Sequence, residues 1–200
     1  MIRHQERLFD DDEVFATLHP LVRGWFAKTF ATFSPPQRGA IPLIHERQNC
    51  LIAAPTGSGK TLSAFLAVLN ELVVQAEAGA LDDRVYCVYV SPLKALSNDI
   101  ERNLNGPLRE LNERHGADLG IRVGVRTGDT TPSERAKMLR KPPHILITTP
   151  ESLAIVLSSP KFVEHFAGVG CVIVDEIHAL AENKRGVHLS LTLERLQERV

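Results

Sequence analysis

Short apolar runs alternate along the chain with longer segments in which apolar residues recur at helical spacing. Five of the short runs are predicted to form strands, and they cover residues 49–53, 85–90, 121–125, 145–148 and 171–175. Their apolar residues are mostly consecutive rather than alternating, which is typical of strands buried on both faces of a parallel sheet.

The segments between and around these runs predict helices. Helical spacing covers residues 62–75, 93–113, 133–139 and 151–157 between the strands, residues 18–28 and 36–45 before them, and residues 187–199 after them. The acidic residues 10–13 are interpreted as a solvated leader. Because strands and helices alternate, the sequence predicts a doubly wound α/β sheet.

Composition and charge narrow the class of protein. A chain of 200 residues, 44% of them hydrophobic, can bury one ordinary core, so a single domain is favoured. The 23 Lys and Arg residues nearly balance the 24 Asp and Glu residues, and with a formal net charge of -1 any basic binding face must be local. Cys50, Cys87 and Cys171 match no zinc or redox spacing and are predicted to be core residues.

The lengths of the apolar runs also indicate where in the cell the protein resides. The longest of them are well short of the roughly 18 residues of a transmembrane helix, and no charged leader precedes an apolar core. The sequence therefore predicts a cytoplasmic protein, nucleoid-associated if the source is prokaryotic, with no membrane partner.

The segment APTGSGKT, residues 54–61, has the pattern of a phosphate-binding loop. Such a loop stands between a strand and a helix, where a glycine-rich turn directs backbone N–H groups towards phosphate oxygens. Lys60 is predicted to reach the β- and γ-phosphates of a nucleoside triphosphate, and the Thr61 hydroxyl to ligate Mg²⁺. Ala54 departs from the glycine of the general pattern. The predicted nucleotide-binding residues of the loop are Pro55, Thr56, Gly57, Ser58, Gly59, Lys60 and Thr61.

The segment VIVDEIH, residues 172–178, ends an apolar run in two acids. A carboxylate at the carboxyl end of a parallel strand projects into the crevice where ligands bind. Asp175 is therefore predicted to hold Mg²⁺, directly or through water, and Glu176 to orient or deprotonate the attacking water. His178 is a candidate sensor of the γ-phosphate or a bridge to another domain. The alternative is that the acids only cap the next helix.

Taken in order, the motifs of this chain resemble those of superfamily 2 helicases, and most closely the large helicase-related (Lhr) family of DEIH-box DNA helicases. The resemblance covers nearly the whole chain and rests on APTGSGKT, SPLKALSNDI, RTGDT, TTPESL, DEIH and KRGVHLSLTLERL. It implies a RecA-like P-loop NTPase domain, a mostly parallel sheet with helices on both faces. It also implies a 3′-to-5′ translocase on single-stranded DNA that acts in DNA repair or recombination.

The upstream segment FSPPQRGAIPLI, residues 33–44, resembles the Q-motif region of these helicases. The resemblance implies that Gln37 reads the adenine edge of ATP, and a Gln amide can pair with the N6 and N7 atoms of adenine. The alternative is an ordinary helix N-terminal Gln after two prolines.

The resemblance also implies a domain division. Residues 1–48 would form a helical and Q-motif region packed on the motor domain, and residues 49–200 the first RecA-like domain. No Ser-Ala-Thr motif follows His178. We therefore expect a domain cut before motif III, without the second RecA-like domain that would be its partner and complete the ATP site. Such a fragment would bind ATP with little activity.

Three of the motifs are candidates for gripping single-stranded nucleic acid. Each is predicted to lie where a strand ends or a helix begins, and backbone N–H groups and small hydroxyls at such places bind phosphate without much net charge. The alternative is a solvated lysine and ordinary helix caps. Lys184 and Arg185 add a local basic point that faces nucleic acid or a missing domain. The predicted contacts in the motifs are Ser91, Lys94, Thr127, Gly128, Thr149, Pro150 and Glu151.

Four functions fit the sequence to different degrees. The first is an ATP-dependent motor on DNA. The second is an RNA helicase, because phosphate contacts do not report the sugar and no residue that reads the 2′-hydroxyl is evident. A P-loop kinase or small-molecule ATPase is the third, but it would have no use for a row of phosphate-gripping loops. The fourth is a binding module without catalysis.

Overall fold

The computed structural model describes residues 4–92 and 100–200. The contacts among them form two compact units, one with residues up to 81 and residues 100–120, and the other with residues 82–92 and 121–200. The division at residue 48 that the family resemblance implies stays a prediction. Lys94 lies outside the described residues.

The first unit is helical. Its aromatic residues pack together, with Phe26 stacked on Phe33 at a ring-centroid distance of 3.9 Å. Asn70 ties two helices, since its side chain accepts a hydrogen bond from His19 N at 2.6 Å and donates one to Thr17 O at 3.2 Å. The helices are α1 (Asp11–Ala16), α2 (Pro20–Thr29), α3 (Pro35–His45), α4 (Lys60–Glu77), a π-helical turn (Glu101–Asn105) and α5 (Gly106–His115).

The acidic residues 10–13, which were interpreted as a solvated leader, begin helix α1. The Asp10 carboxylate accepts a hydrogen bond from Glu13 N at 2.8 Å, and the Glu13 carboxylate accepts one from Asp10 N at 2.8 Å. These reciprocal bonds form a capping box, which satisfies backbone N–H groups at the start of a helix. Val14 on this helix is fully buried.

The predicted strand at residues 49–53 is wrong. The segment has no strand assignment, and Leu51 is 73% exposed. A strand needs a neighbouring strand to pair its backbone groups, and the described sheet contains no partner for this segment. Cys50, predicted to be a core residue, is consequently exposed, whereas Cys87 is buried.

The second unit contains a four-stranded parallel sheet with the strand order β2-β3-β1-β4. Because the strands are parallel and alternate with helices, the predicted α/β class is confirmed. The strands are β1 (Cys87–Val90), β2 (Val123–Arg126), β3 (Ile145–Thr148) and β4 (Cys171–Val174). The helices are α6 (Pro132–Arg140), α7 (Pro150–Leu157), a 3₁₀ turn (Val163–Phe166), α8 (His178–Ala181) and α9 (Lys184–Gln197).

The core of this unit lies between the sheet and helices α7 and α9. Val88 and Val90 of β1 and Leu146 of β3 are fully buried, and they belong to one apolar cluster with Leu153 of α7 and Leu189 of α9. Burying each such side chain contributes roughly 1.5 to 3 kcal/mol. The cluster fixes the two helices against the sheet, and α7 begins two residues after the end of β3.

Strand β2 lies at one edge of the described sheet, and Val125 on it is 44% exposed. A cavity of about 580 Å³ borders this strand and helix α6. Its apolar lining includes Val123, Gly124, Met138 and Pro143, and its cations include Arg122, Lys137, Arg140 and Lys141.

Within the described residues, no helix combines the length and the apolar composition that crossing a membrane would require.

Candidate nucleotide site and nucleic-acid interface

The phosphate-binding pattern of residues 54–61 forms a glycine turn before helix α4. Gly57 and Gly59 have φ angles of 78° and 92°, in the left-handed region that glycine enters without steric cost. Gly59 is the N-cap of α4, which begins at Lys60 and runs for 18 residues. Backbone N–H groups at the start of a long helix attract anions, so this turn has the backbone conformation that a phosphate group requires.

The side chains of the loop hold the turn together. Ser58 Oγ donates a hydrogen bond to Pro55 O at 2.6 Å. Lys60 Nζ donates to Ala54 O and, at 2.8 Å, to Pro55 O, so its ammonium group lies over the loop. Pro55 and Thr56 are exposed, while Thr61 in the first turn of α4 is half-buried.

Helix α3 contacts this loop through two polar residues that lie beside Gly59. A Cβ atom at Gly59 would be 3.0 Å from Ser34 Oγ and 3.1 Å from Gln37 Nε2, so a larger residue would press on both side chains. Gln37 is buried, and its amide oxygen accepts a hydrogen bond from Ser34 N at 2.8 Å. Ser34 is the N-cap of α3 and forms a capping box there with Gln37.

The register of the second unit brings the other predicted site residues to one edge of the sheet. Val90, Arg126, Thr148 and Val174 are the last residues of their strands and are paired in register across the sheet. The residues that follow them lie at the carboxyl edge, where parallel sheets bind ligands. They are Ser91, Thr127, Thr149 and Asp175, four predicted site residues from four different motifs.

Asp175 is held at this edge by hydrogen bonds from three directions. Its backbone N donates to Val90 O at 2.9 Å, its Oδ1 accepts from Glu176 N at 2.9 Å, and its Oδ2 accepts from the hydroxyl of Tyr89. Tyr89 is buried in β1 and was missed by sequence reasoning, although a buried tyrosine hydroxyl generally finds a polar partner. These bonds fix the orientation of the carboxylate, whose oxygen atoms are of the type that Mg²⁺ prefers.

Glu176 and His178 follow Asp175 and are more exposed. Glu176 has a φ of 51°, a left-handed conformation that costs a residue other than glycine roughly 1 to 2 kcal/mol. Its carboxylate is 3.2 Å from His178 Nε2, and the His178 side chain is 79% exposed. The left-handed residue lies between the end of β4 and the start of α8.

The predicted nucleic-acid contacts of TTPESL lie at the start of helix α7. Thr149 is the N-cap, and its hydroxyl oxygen accepts a hydrogen bond from Ser152 N at 3.3 Å. This is the helix cap that the alternative interpretation describes. Pro150 has no N–H to offer a phosphate, while Glu151 is exposed and paired with Arg185, whose Nε lies 2.5 Å from Glu151 Oε1.

The contacts of RTGDT lie where β2 ends. Thr127 N donates to Thr130 Oγ1 at 2.8 Å, and Gly128 O accepts from Arg135 at 3.2 Å. Arg126 is partly buried beside this turn. Burial, and secondly the charge of Arg135, lower the pKa of Arg126. Two guanidinium groups lie at this strand end, with the Asp129 carboxylate in the same turn.

Ser91 is the last of the predicted nucleic-acid contacts that lie among the described residues. It is fully buried, and its backbone N donates to Thr148 O at 3.1 Å. The sheet therefore brings together Ser91, Thr127, Thr149 and Asp175, with Gly128, Pro150, Glu151, Glu176 and His178 in the segments directly following them. Gln37 and residues 55–61 belong to the other compact unit.

The class of protein follows from the similarity of this chain to a known family. The family model described as DEAD/DEAH box helicase matches residues 34–200. This chain belongs to that family.

The chain is similar to several Lhr helicases, so the resemblance seen in the motifs is confirmed. The chain is 59% identical over 203 residues to the ATP-dependent helicase Lhr-Core of Methanothermobacter thermautotrophicus, covering 100% of this chain and 24% of that protein. It is 44% identical to the Lhr helicase/uracil glycosylase of Escherichia coli, covering 88% of this chain and 12% of that protein. The chain therefore spans about a quarter or less of the length of these relatives.

A solved structure supports the same assignment. The structure of Mycobacterium smegmatis helicase Lhr bound to ssDNA and AMP-PNP has a TM-score of 0.81 and 47% identity to this chain, covering 92% of it and 23% of the other chain. The fold is that of RecA-like helicase domains, since the DEAD-box helicase Mss116 bound to ssRNA and UDP-BeF also superposes, with a TM-score of 0.77 at 22% identity over 99% of this chain and 39% of the other.

Proposed function

We propose that this chain is the nucleotide-binding motor portion of an ATP-dependent helicase that translocates 3′ to 5′ on single-stranded DNA. The observation that carries the proposal is the register of the parallel sheet. It puts Asp175 of the DEIH box in one row with Ser91, Thr127 and Thr149 of three motifs proposed to contact the strand. A motor must couple nucleotide chemistry to its grip on phosphate, and adjacent strand ends are a direct route for that coupling.

On the nucleotide side, each residue has a defined task. The glycine turn and Lys60 would bind the β- and γ-phosphates, and the Thr61 hydroxyl and the Asp175 carboxylate are the proposed ligands for Mg²⁺. Mg²⁺ would supply positive charge to neutralise the phosphate oxygens. Glu176 orients or deprotonates the attacking water, and His178 responds to the γ-phosphate or bridges to another domain.

Base selection is assigned to Gln37. A Gln amide can pair with both N6 and N7 of adenine, so ATP is the proposed nucleotide. The amide oxygen already accepts one hydrogen bond from Ser34 N, but a carbonyl oxygen has a second lone pair. The proximity of Gln37 Nε2 to Gly59 supports a link between reading the base and shaping the phosphate loop.

DNA is the proposed substrate because the Lhr structure bound to ssDNA shares 47% identity with this chain. The RNA-bound Mss116 structure, at 22% identity, supports the fold alone. RNA remains the second candidate, since phosphate contacts do not distinguish the two sugars. We further propose a second RecA-like domain as the partner, a cytoplasmic or nucleoid location, and a role in DNA repair or recombination.

The test uses the full-length protein and its rate of phosphate release from ATP with single-stranded DNA, with RNA, or with neither. We expect the largest stimulation with DNA and a requirement for Mg²⁺. Lys60→Ala should lose most affinity for a non-hydrolysable ATP analogue in titration calorimetry, because charge-assisted contacts to phosphate are the strong ones.

Lys161→Ala is the matched control, because Lys161 is an exposed lysine outside the motifs. It should keep the wild-type nucleotide affinity. Undiminished nucleotide affinity in a folded Lys60→Ala protein would refute the assignment of the loop. Equal stimulation by RNA and DNA would refute the choice of substrate.

A further inference from the structure

Arg185, the second residue of helix α9, connects three chain segments at the carboxyl edge of the sheet. Its Nε donates to Glu151 Oε1 at 2.5 Å, and its Nη2 donates to Glu151 Oε2 at 3.2 Å and to Pro92 O at 3.1 Å. Glu151 lies in the first turn of α7, and Pro92 follows the end of β1. One guanidinium group therefore fixes the starts of α7 and α9 and the exit of β1 relative to one another.

The ion pair of Arg185 and Glu151 also affects the net charge at the carboxyl edge of the sheet. Glu151 is a carboxylate within two residues of Thr149, a proposed phosphate contact. Hydrogen bonding to Arg185, the largest influence, lowers the pKa of Glu151 below its ordinary value, so the carboxylate is ionised at neutral pH. Without a cation beside it, a negative charge at this position would repel a phosphate backbone. The side chains are 41% and 51% exposed, so solvent and a bound strand both have access to the pair.

From these contacts we propose that Arg185 is a positioning residue for single-strand binding: it holds Glu151 and the β1 exit in place and cancels the Glu151 charge beside the strand. Arg185 acts through Glu151 and Pro92 rather than by touching phosphate. The inference rests on the proposed nucleic-acid function.

The geometry requires arginine at this position. A guanidinium group offers five N–H donors in a planar fork, which suits a bidentate carboxylate and a carbonyl at the same time. Lysine would keep the charge but act as a single compact point, and it would not reproduce the three bonds. The effect of the three hydrogen bonds of Arg185 can therefore be separated experimentally from the effect of its positive charge.

The experiment measures the affinity of the full-length protein for a fluorescein-labelled oligodeoxythymidine by anisotropy at several salt concentrations. The variants are Arg185→Ala, Arg185→Lys, Glu151→Gln and the double variant of Arg185→Ala with Glu151→Gln. Arg195→Ala is the matched control, because Arg195 lies on the same helix and donates to Ser158 Oγ at 3.2 Å, at the other end of α7. It makes the same change in net charge. Thermal unfolding of each variant verifies that it folds.

We expect Arg185→Ala to bind the oligonucleotide on the order of tenfold more weakly, equivalent to about 1.4 kcal/mol. Arg185→Lys should recover only part of the loss. The double variant should bind more tightly than Arg185→Ala, because it removes the uncompensated carboxylate. Arg195→Ala should bind like the wild type, and the affinity for a non-hydrolysable ATP analogue should not change in the Arg185 variants.

Two results would overturn the inference. One is equal affinity of Arg185→Ala and the wild type. The other is a double variant no better than Arg185→Ala together with a salt dependence reduced by about one charge, which would mean that Arg185 itself contacts phosphate. If the wild type does not bind the oligonucleotide at all, the proposed function fails first, and the inference fails with it.

Discussion

At the scale of single residues, the two left-handed glycines of the phosphate loop have different surroundings. A Cβ atom at Gly57 would meet nothing within 4 Å, whereas one at Gly59 would press on Ser34 and Gln37. Gly57 therefore needs only its backbone freedom. Gly59 needs freedom and space, because helix α3 packs directly against it.

This difference predicts unequal effects of two identical substitutions. Gly57→Ala should cost roughly 1 to 2 kcal/mol through the left-handed backbone alone. Gly59→Ala should cost more, because its methyl group also displaces Ser34 Oγ from a contact of 3.0 Å. Urea unfolding of the two variants and the wild type measures both losses. Equal losses in the free energy of unfolding would mean that Ser34 and Gln37 on α3 move aside for the new methyl group without an energetic cost.

Some site residues were predictable and others were not. The glycine and lysine pattern of residues 54–61 was sufficient to predict a glycine turn before a helix, and the structure has that turn before α4. Tyr89 belongs to no motif, and Ser34 lies in the Q-motif segment without being singled out; their relation to Asp175 and Gly59 exists only after the chain folds. Long-range partners of this kind leave no local pattern for sequence reasoning to detect.

At the scale of elements, His144 lies directly before strand β3 and is fully buried. Its Nδ1 accepts a hydrogen bond from Arg122 N at 3.1 Å. Burial, with the charge of Arg122 second, lowers the pKa of His144 to about 4, although the charge of Asp83 acts in the opposite direction. The neutral ring is therefore the form that fits the fold.

Stability should consequently depend on pH through this residue. The ordinary pKa of 6.5 applies to the unfolded chain and about 4 to the folded one, so the unfolded chain binds the extra proton first as the pH falls. The stabilisation is complete above pH 6.5 and is lost as the pH falls towards 4. We expect a loss on the order of 2 kcal/mol.

The measurement compares urea unfolding of the wild type and His144→Asn at pH 7 and pH 4.5. Asparagine keeps an acceptor for Arg122 N but does not titrate. The free energy of unfolding of His144→Asn should therefore lie closer to that of the wild type at pH 4.5 than at pH 7. His188→Asn, at an exposed position on α9, is the control and should differ from the wild type by a constant amount. A constant difference for His144→Asn as well would contradict the prediction.

Elements were predictable where a pattern had one meaning. Residues 145–148 are predicted and observed as a strand with the same bounds, because a short run in which three of four residues are β-branched fits a buried parallel strand. Residues 49–53 are also mostly apolar but contain one β-branched residue and form no strand, and pairing depends on a neighbour that composition does not reveal. Helix α1 was missed because Asp-Asp-Asp-Glu fits a solvated segment as well as a capping box.

At the scale of the whole molecule, the chain covers 24% of the Lhr-Core helicase of Methanothermobacter thermautotrophicus. We expect the 200-residue chain by itself to bind ATP and single-stranded DNA weakly and to unwind no duplex. Arginine groups supplied by another domain are worth roughly 10³ to 10⁵ in rate in related nucleotide hydrolases. Side-by-side assays of phosphate release and unwinding, with the full-length protein as the reference, test this. Unwinding by the chain alone at a comparable rate would mean that it contains a complete motor.

The exposed edge of strand β2 bears on whether two copies of the chain associate. An unpaired strand edge is a template on which another chain can add its own strand, and exposed Val125 would favour such addition. The cavity beside this strand has Lys137, Arg140 and Lys141 in its lining. Two copies that paired through their β2 edges would bring these like charges together, and the repulsion opposes the pairing. Lys137, Arg140 and Lys141 would therefore disfavour self-association through the exposed edge of β2.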